Sequence, residues 1–117
     1  MTIKYFLSED ERKTTHSTCF YEFHKGKWDE NNPVFWKEDS LCISDDVMNS
    51  LGLGNLLSCA LDNYHPFGET EIDAKRWKRI YSDAEQIGGS LFEAILEVTP
   101  WVEDNFKQYT IFTILGI

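Results

Sequence analysis

Glu69 and Glu71, together with His65, are the side chains whose types and spacing come nearest to a catalytic set. One of two neighbouring carboxyl groups can act as a general acid while the other acts as a base, and histidine serves either role near neutral pH. These residues fall in NYHPFGETE, residues 63–71, whose proline and glycine mark a loop, so spacing alone fixes no geometry. The chain has no G-x-S-x-G, P-loop, G-x-G-x-x-G or H-E-x-x-H pattern. We therefore expect that the protein is not an enzyme.

The three cysteines, Cys19, Cys42 and Cys59, each stand beside an apolar residue. This pattern is typical of small buried thiols in a reducing compartment. A zinc site needs paired ligands such as C-x-x-C or H-x-x-x-H, and neither spacing occurs. We expect no disulfide, no metal and no other cofactor.

Negative charge is distributed unevenly along the chain. The sequence has 20 Asp and Glu against 11 Lys and Arg, a net charge of −9. Residues 1–37 balance acids and bases, whereas residues 38–73 contain no lysine or arginine. Uncompensated like charges destabilise a fold, and a surface shaped only for solubility mixes both signs. The base-free segment holds eight acids: Glu38, Asp39, Asp45, Asp46, Asp62, Glu69, Glu71 and Asp73. It therefore predicts a surface that receives a positively charged partner.

Aromatic residues stand beside these acids. Large aromatic residues surrounded by charged residues are typical of interface anchors. Each aromatic residue can also be explained as part of the core, and each acid as a solvated surface group. Tyr64 and Phe67 are the better anchor candidates because they lie in the Pro/Gly loop. The candidate partner-binding residues are Trp36, Asp39, Asp45, Asp46, Asp62, Tyr64, Phe67, Glu69, Glu71 and Asp73.

The elements that must position these residues include strands near both ends of the chain. TIKYFL, residues 2–7, alternates with its odd-numbered residues on one face, and STCFYEFH, residues 17–24, alternates again and is predicted as its antiparallel neighbour. One or two short strands are expected within residues 34–43. YTIFTILGI, residues 109–117, is apolar on both faces, which predicts a strand covered on both sides or in the middle of the sheet.

Capping residues and apolar spacing predict several helices within residues 44–107. Ser44 is expected to cap a short helix that ends near Leu51, and residues 55–62 form two further turns. Thr70 and Asp73 resemble a capping box that opens a helix with apolar positions from Ala74 to Ile87.

Glycine and proline residues predict two helix boundaries in the second half of this helical region. Gly88 and Gly89 end one helix, and Ser90 with Glu93 resembles a capping box for the next. Pro100 disfavours a helix interior, so PWVEDNFK, residues 100–107, is predicted to be a separate short helix.

The order of these elements predicts an α+β fold, with an antiparallel or mixed sheet packed against the helices. A chain of 117 residues fits a single domain, residues 1–117. The excess of acids disfavours direct binding to nucleic acid or to anionic membranes. The first residues reach Glu9 too early for a signal peptide, so we expect a cytoplasmic protein.

The segment FGETEIDAKRWKRIYSDA, residues 67–84, and the aromatic C-terminal strand ending in ILGI resemble immunity proteins of bacterial polymorphic toxin and contact-dependent growth-inhibition systems. The resemblance implies a protein that binds the C-terminal domain of a cognate toxin. That domain would be a basic nuclease, and the immunity protein would cover its active site or substrate groove.

Two other functions remain open at this point. One is a phage or mobile-element inhibitor that mimics nucleic acid, which predicts a long double row of charges. The other is a small enzyme or ligand-binding domain, which predicts a deep pocket that converges on His65, Glu69 and Glu71. Oligomeric state is not predicted.

Overall fold

The computed structural model describes residues 4–15 and 19–116 and shows an α+β fold. Within these residues, five strands form one antiparallel sheet in the order β1-β3-β2-β5-β4, accompanied by five helices. The fold class is as predicted. In chain order the elements are β1 (Leu7–Ser8), α1 (Glu9–Lys13), β2 (Phe20–Lys25), β3 (Leu41–Ser44), α2 (Asp45–Leu51), α3 (Leu53–Ala60), β4 (Glu69–Asp73), α4 (Ala74–Ile87), α5 (Gly89–Gln108) and β5 (Ile111–Leu115).

The central strands of the sheet are buried on both faces. On β2, Phe23 belongs to the main hydrophobic core. The preceding residue, Glu22, points to the opposite face of the sheet and is also buried there, with 1% of its surface exposed. The loop of residues 26–40 reaches this second face, because the Trp36 N–H and the Ser40 hydroxyl both donate to the Glu22 carboxylate. β5 lies between β2 and β4, which confirms the central position predicted for the C-terminal strand.

The N-terminal strand prediction is wrong in extent and in partner. Residues 4–6 are not a strand, because the carboxylate of Glu97 on α5 accepts the backbone N–H groups of Tyr5 and Phe6. Phe6 rather than Tyr5 enters the core. β1 then pairs with β3, which separates it from β2. Residues 2 and 3 of the predicted strand lie outside the described residues, as do residues 17 and 18 of the next one.

A strand replaces part of the predicted loop at residues 63–71. β4 runs from Glu69 to Asp73, with Thr70 and Ile72 buried and the three acids on the alternate face. The predicted Thr70 capping box is therefore wrong: Thr70 lies in the strand, and the Asp73 carboxylate itself caps α4 by accepting the Arg76 N–H. The predicted Ser44 cap of α2 is confirmed, since its hydroxyl accepts the Val47 N–H at 3.2 Å.

Helix α5 is longer than predicted. It runs through Pro100 instead of restarting there, and it begins at Gly89 without the predicted side-chain cap from Ser90. An interior proline disfavours a helix by about 3 kcal/mol. Burial outweighs this cost, because Val98 and Val102, on either side of the proline, are 0% exposed in the core.

The core lies between the sheet and the helices, where Phe112 of β5 contacts several aromatic rings. Its ring centroid is 5.5 Å from that of Trp101 and 6.1 Å from that of Trp77. Of the cysteines, Cys42 is buried as predicted, but Cys19 and Cys59 are exposed. No helix in the described ranges is long and apolar enough to cross a bilayer.

Candidate partner-binding surface

The first turn of α2 presents two of the predicted acids. The Ser44 cap fixes the start of the helix, so that Asp45 and Asp46 lie at its positive end, which stabilises their negative charge. Asp46 is exposed and Asp45 is half-buried. The Asp45 Oδ2 atom accepts a long hydrogen bond from the Asn49 side chain at 3.4 Å. Within the described ranges, neither acid forms an ion pair with a lysine or an arginine.

Tyr64 lines a small polar cavity between α2 and the loop before β4. Burial, the neighbouring Tyr21 phenol and the Asp45 carboxylate together raise the pKa of Tyr64 to about 12. Burial and Asp45 also raise the pKa of Tyr21, so both phenols stay protonated at neutral pH. The cavity has a volume of about 230 Å³ and is lined by Tyr21, Met48, Asn49, Gly52, Gly54, Asn55, Ser58, Tyr64 and Pro66.

A second, larger cavity meets the first at the turn between α2 and α3. It has a volume of about 450 Å³ and lies where α3, α4 and the start of α5 come together. Gly52 and Asn55 line both cavities. We call the two together the Asn55 groove. The lining of the larger cavity is mostly apolar: Leu51, Gly52, Asn55, Leu56, Cys59, Asp83, Gln86, Ile87 and Leu91.

Two other predicted acids form ion pairs with one base of the protein itself. The Arg76 guanidinium binds Asp62 Oδ1 at 3.3 Å and Asp73 Oδ2 at 3.2 Å. The structure thus brings Asp62 and Asp73 together around one base. Arg76 lies three residues after the end of the base-free segment, and folding places it beside that segment's acids.

Glu69 and Glu71 project from the same face of β4, the edge strand of the sheet. Their cross-strand partners are Leu115 and Thr113. Glu69 Oε2 is buried and has no hydrogen-bond partner among the described atoms. These two carboxylates belong to a different element from Asp45 and Asp46, so the predicted acids are divided between two places.

His65 approaches one of these acids but not both. His65 and Glu69 line a cavity of about 420 Å³ with Pro66, Phe67 and Gly68, and Glu71 is not part of it. The His65 backbone N–H donates to the Thr70 hydroxyl, which holds the loop against β4. Across residues 4–15 and 19–116, no three His, Cys, Asp or Glu side chains are grouped to hold a metal ion.

Trp36 and Asp39 belong to the loop that covers the second face of the sheet. Trp36 has a φ of +56°, and the Arg12 guanidinium lies 4.2 Å from the centre of its ring. The Asp39 carbonyl accepts a hydrogen bond from the Trp101 indole, while its side chain is exposed. Phe67, the remaining aromatic candidate, is 84% exposed at the loop before β4.

Sequence reasoning missed an exposed apolar group in the same loop. Val34 and Phe35 are 47% and 54% exposed, and the Phe35 ring lies 5.3 Å from that of Trp28. The Trp28 indole donates to the Val34 carbonyl. The signal is the apolar run VFW, directly after the turn residues NNP, which lies within the segment where one or two short strands are expected.

Comparison of the chain with protein-family models, curated proteins and solved structures finds no significant match. The candidate function therefore depends on the geometry alone. The strongest arrangement is the Asn55 groove with Asp45, which accepts a hydrogen bond from the lining residue Asn49. It combines a carboxylate that has no ion pair within the described residues, neutral hydrogen-bonding groups and an apolar depression. Such a set can bind a cationic and partly apolar protein surface.

Proposed function

We propose that the protein is an immunity protein that binds and neutralises a basic toxin domain, a nuclease encoded beside it. The observation that carries the proposal is the position of Asp45 and Asp46. Neither forms an ion pair with a lysine or an arginine among the described residues, and Asp45 accepts a hydrogen bond from Asn49, which lines a groove whose lining contains no base.

Inhibition on this proposal is electrostatic and steric. A nuclease needs a basic cleft to hold phosphates, and carboxylates on a folded surface compete for the same charges. Exposed charges of opposite sign speed the encounter, and this steering weakens as salt rises. The bound protein then covers the active site or the substrate groove and keeps nucleic acid out.

The setting follows from the same proposal. The toxin acts on nucleic acid in the cytoplasm, so its inhibitor acts there too, with no direct contact to nucleic acid or membrane. The protein's own net charge of −9 opposes both contacts.

The test is co-expression with the toxin C-terminal domain encoded immediately upstream of the gene. We expect a growth defect from the toxin domain alone, its rescue by this protein, and a complex that co-elutes in size-exclusion chromatography. A catalytically inactive toxin domain gives the affinity by calorimetry. If there is no rescue and no complex, the proposal is wrong. If the protein instead binds a restriction or interference nuclease with comparable affinity, it acts as a nucleic-acid mimic.

A further inference from the structure

We propose that the Asn55 groove receives one segment of the toxin domain, in which a lysine or arginine lies next to a large apolar side chain. This inference rests on the proposed function and adds to it the chemistry of the contact. The apolar side chain enters the larger cavity, and the cation reaches the polar cavity beside Asn49 of α2.

The polar end of the groove is suited to a cation. Asn49, Ser58 and the protonated Tyr64 supply neutral oxygen acceptors around the cavity of about 230 Å³. Asp45 does not line this cavity, but its Oδ2 atom accepts a hydrogen bond at 3.4 Å from the side chain of Asn49, which does. A lysine or arginine here would meet a carboxylate that lacks a basic partner within the described chain, so no existing ion pair has to break.

The apolar end of the groove, which is the larger cavity, has little net charge. The one acid in its lining, Asp83, already accepts a hydrogen bond from Arg79 Nε at 2.9 Å, so it offers little net charge. Leu56 and Leu91 form the floor, as both are buried. Ile87 stands at the rim with 63% of its surface exposed. A cavity of about 450 Å³ lies within the range of roughly 300–1,000 Å³ of ligand pockets.

The two ends form one site because Gly52 and Asn55 line both. Gly52 ends α2 in the left-handed conformation, with a φ of +75°, and a Cβ built on it would touch no atom within 4 Å. No side chain of residue 52 separates the two cavities at this point. Adjacent residues of one partner segment can occupy both cavities. The segment therefore needs a cationic side chain for the polar cavity directly next to a large side chain for the apolar one.

The deciding experiment uses Asn55→Arg, which places a bulky cation where the two cavities meet. Asn55 is exposed, so the substitution does not disturb the core. The matched control is Ser82→Arg, another exposed helix position that does not line the groove and adds the same charge. With the inactive toxin domain as probe, we expect Asn55→Arg to raise the Kd by at least about 30-fold and Ser82→Arg by less than about 3-fold. Thermal unfolding confirms that both variants are folded.

A second pair tests the apolar end. Ile87→Ser should raise the Kd by about 10-fold, whereas Leu96→Ser, at a position 46% exposed outside the groove, should leave it within about 2-fold.

Four results would overturn the inference, and they are distinguishable. Equal weakening by Asn55→Arg and Ser82→Arg shows that net charge alone matters. Unchanged binding of Asn55→Arg shows that the partner docks elsewhere, while the proposed function stands. A wild-type dimer that Asn55→Arg converts to a monomer shows that a second copy of this chain fills the groove. Absence of wild-type binding removes the proposed function and the groove with it.

Discussion

The carboxylate of Glu22 lies 3.6 Å, from Oε2 to Nδ1, from the imidazole of His24, on the face of the sheet that the loop of residues 26–40 covers. Both side chains are almost fully buried. Burial alone raises the pKa of Glu22. The nearby imidazole, together with the hydrogen bonds from Trp36 and Ser40, outweighs burial and leaves the pKa below its usual value. Folding therefore favours the ionised form of this carboxyl group.

This pKa shift predicts a loss of stability in acid. The unfolded chain binds a proton at Glu22 more readily than the folded protein does. The contribution of ionised Glu22 to the free energy of unfolding is therefore complete above the pKa of Glu22 in the unfolded chain, and it is lost as the pH falls through the lower pKa of Glu22 in the folded protein. Glu22→Gln should destabilise the protein by about 1–3 kcal/mol at pH 7, and the difference from wild type should shrink between pH 5 and pH 3. Urea unfolding across this range measures it, with the exposed Glu85→Gln as control. A difference that stays constant down to pH 3 contradicts the pKa assignment.

The left-handed backbone of Trp36 predicts an unusual order of stabilities. At a φ of +56°, a side chain is strained, and only glycine adopts this conformation without penalty. Both Trp36→Ala and Trp36→Gly lose the contact with Arg12, but the glycine variant also relieves the strain. We expect it to be more stable than the alanine variant by about 0.5–1 kcal/mol in urea unfolding. At Phe35 the order should reverse, and the same order at both positions would argue against strain at Trp36.

The position of the acids predicts the kinetics of toxin binding. Asp45→Asn with Asp46→Asn should slow association with the toxin domain by about 5-fold at low salt, because two steering charges are removed. Adding Glu69→Gln and Glu71→Gln should slow it further, and the difference should fade at high salt. Stopped-flow fluorescence measures the rate, with the exposed pair Glu85→Gln and Glu103→Gln as the control. Unchanged association at low salt would remove this surface from the binding site.

The cysteines predict a pattern of thiol reactivity. Burial raises the pKa of Cys42 to about 11, and its side chain is 1% exposed, whereas Cys19 and Cys59 are exposed. At pH 8, N-ethylmaleimide should therefore label the two exposed cysteines, and Cys42 only after denaturation. Peptide mass spectrometry reads the labels. Labelling of Cys42 at the rate of Cys59 in the native protein would show that the sheet opens at β3.

The sequence by itself determined the elements whose signals are local. The Ser44 cap, the apolar spacing of α4 and the doubly apolar C-terminal strand each depend on residues within a few positions of one another, and all three are present in the fold. The α+β class follows from them. The distribution of charge along the chain is also determined by the sequence alone, because it requires only a count of acidic and basic residues in each segment.

Tertiary structure decided everything that depends on distant partners. Glu97 binds the backbone of Tyr5 and Phe6 from more than 90 residues away, which removes the strand that alternation predicted there. Packing on both sides of Pro100 keeps α5 continuous, against its local preference.

The surroundings of the candidate acids also depend on tertiary structure. Arg76 pairs with both Asp62 and Asp73 and offsets one of their two charges, whereas Asp45 and Asp46 have no basic partner among the described residues. No pattern along the chain predicts the groove that Asn49, the partner of Asp45, lines. The physical reason is that periodicity and capping act over one or two turns. Ion pairing and cavity shape act instead between elements whose approach is fixed only when the core closes.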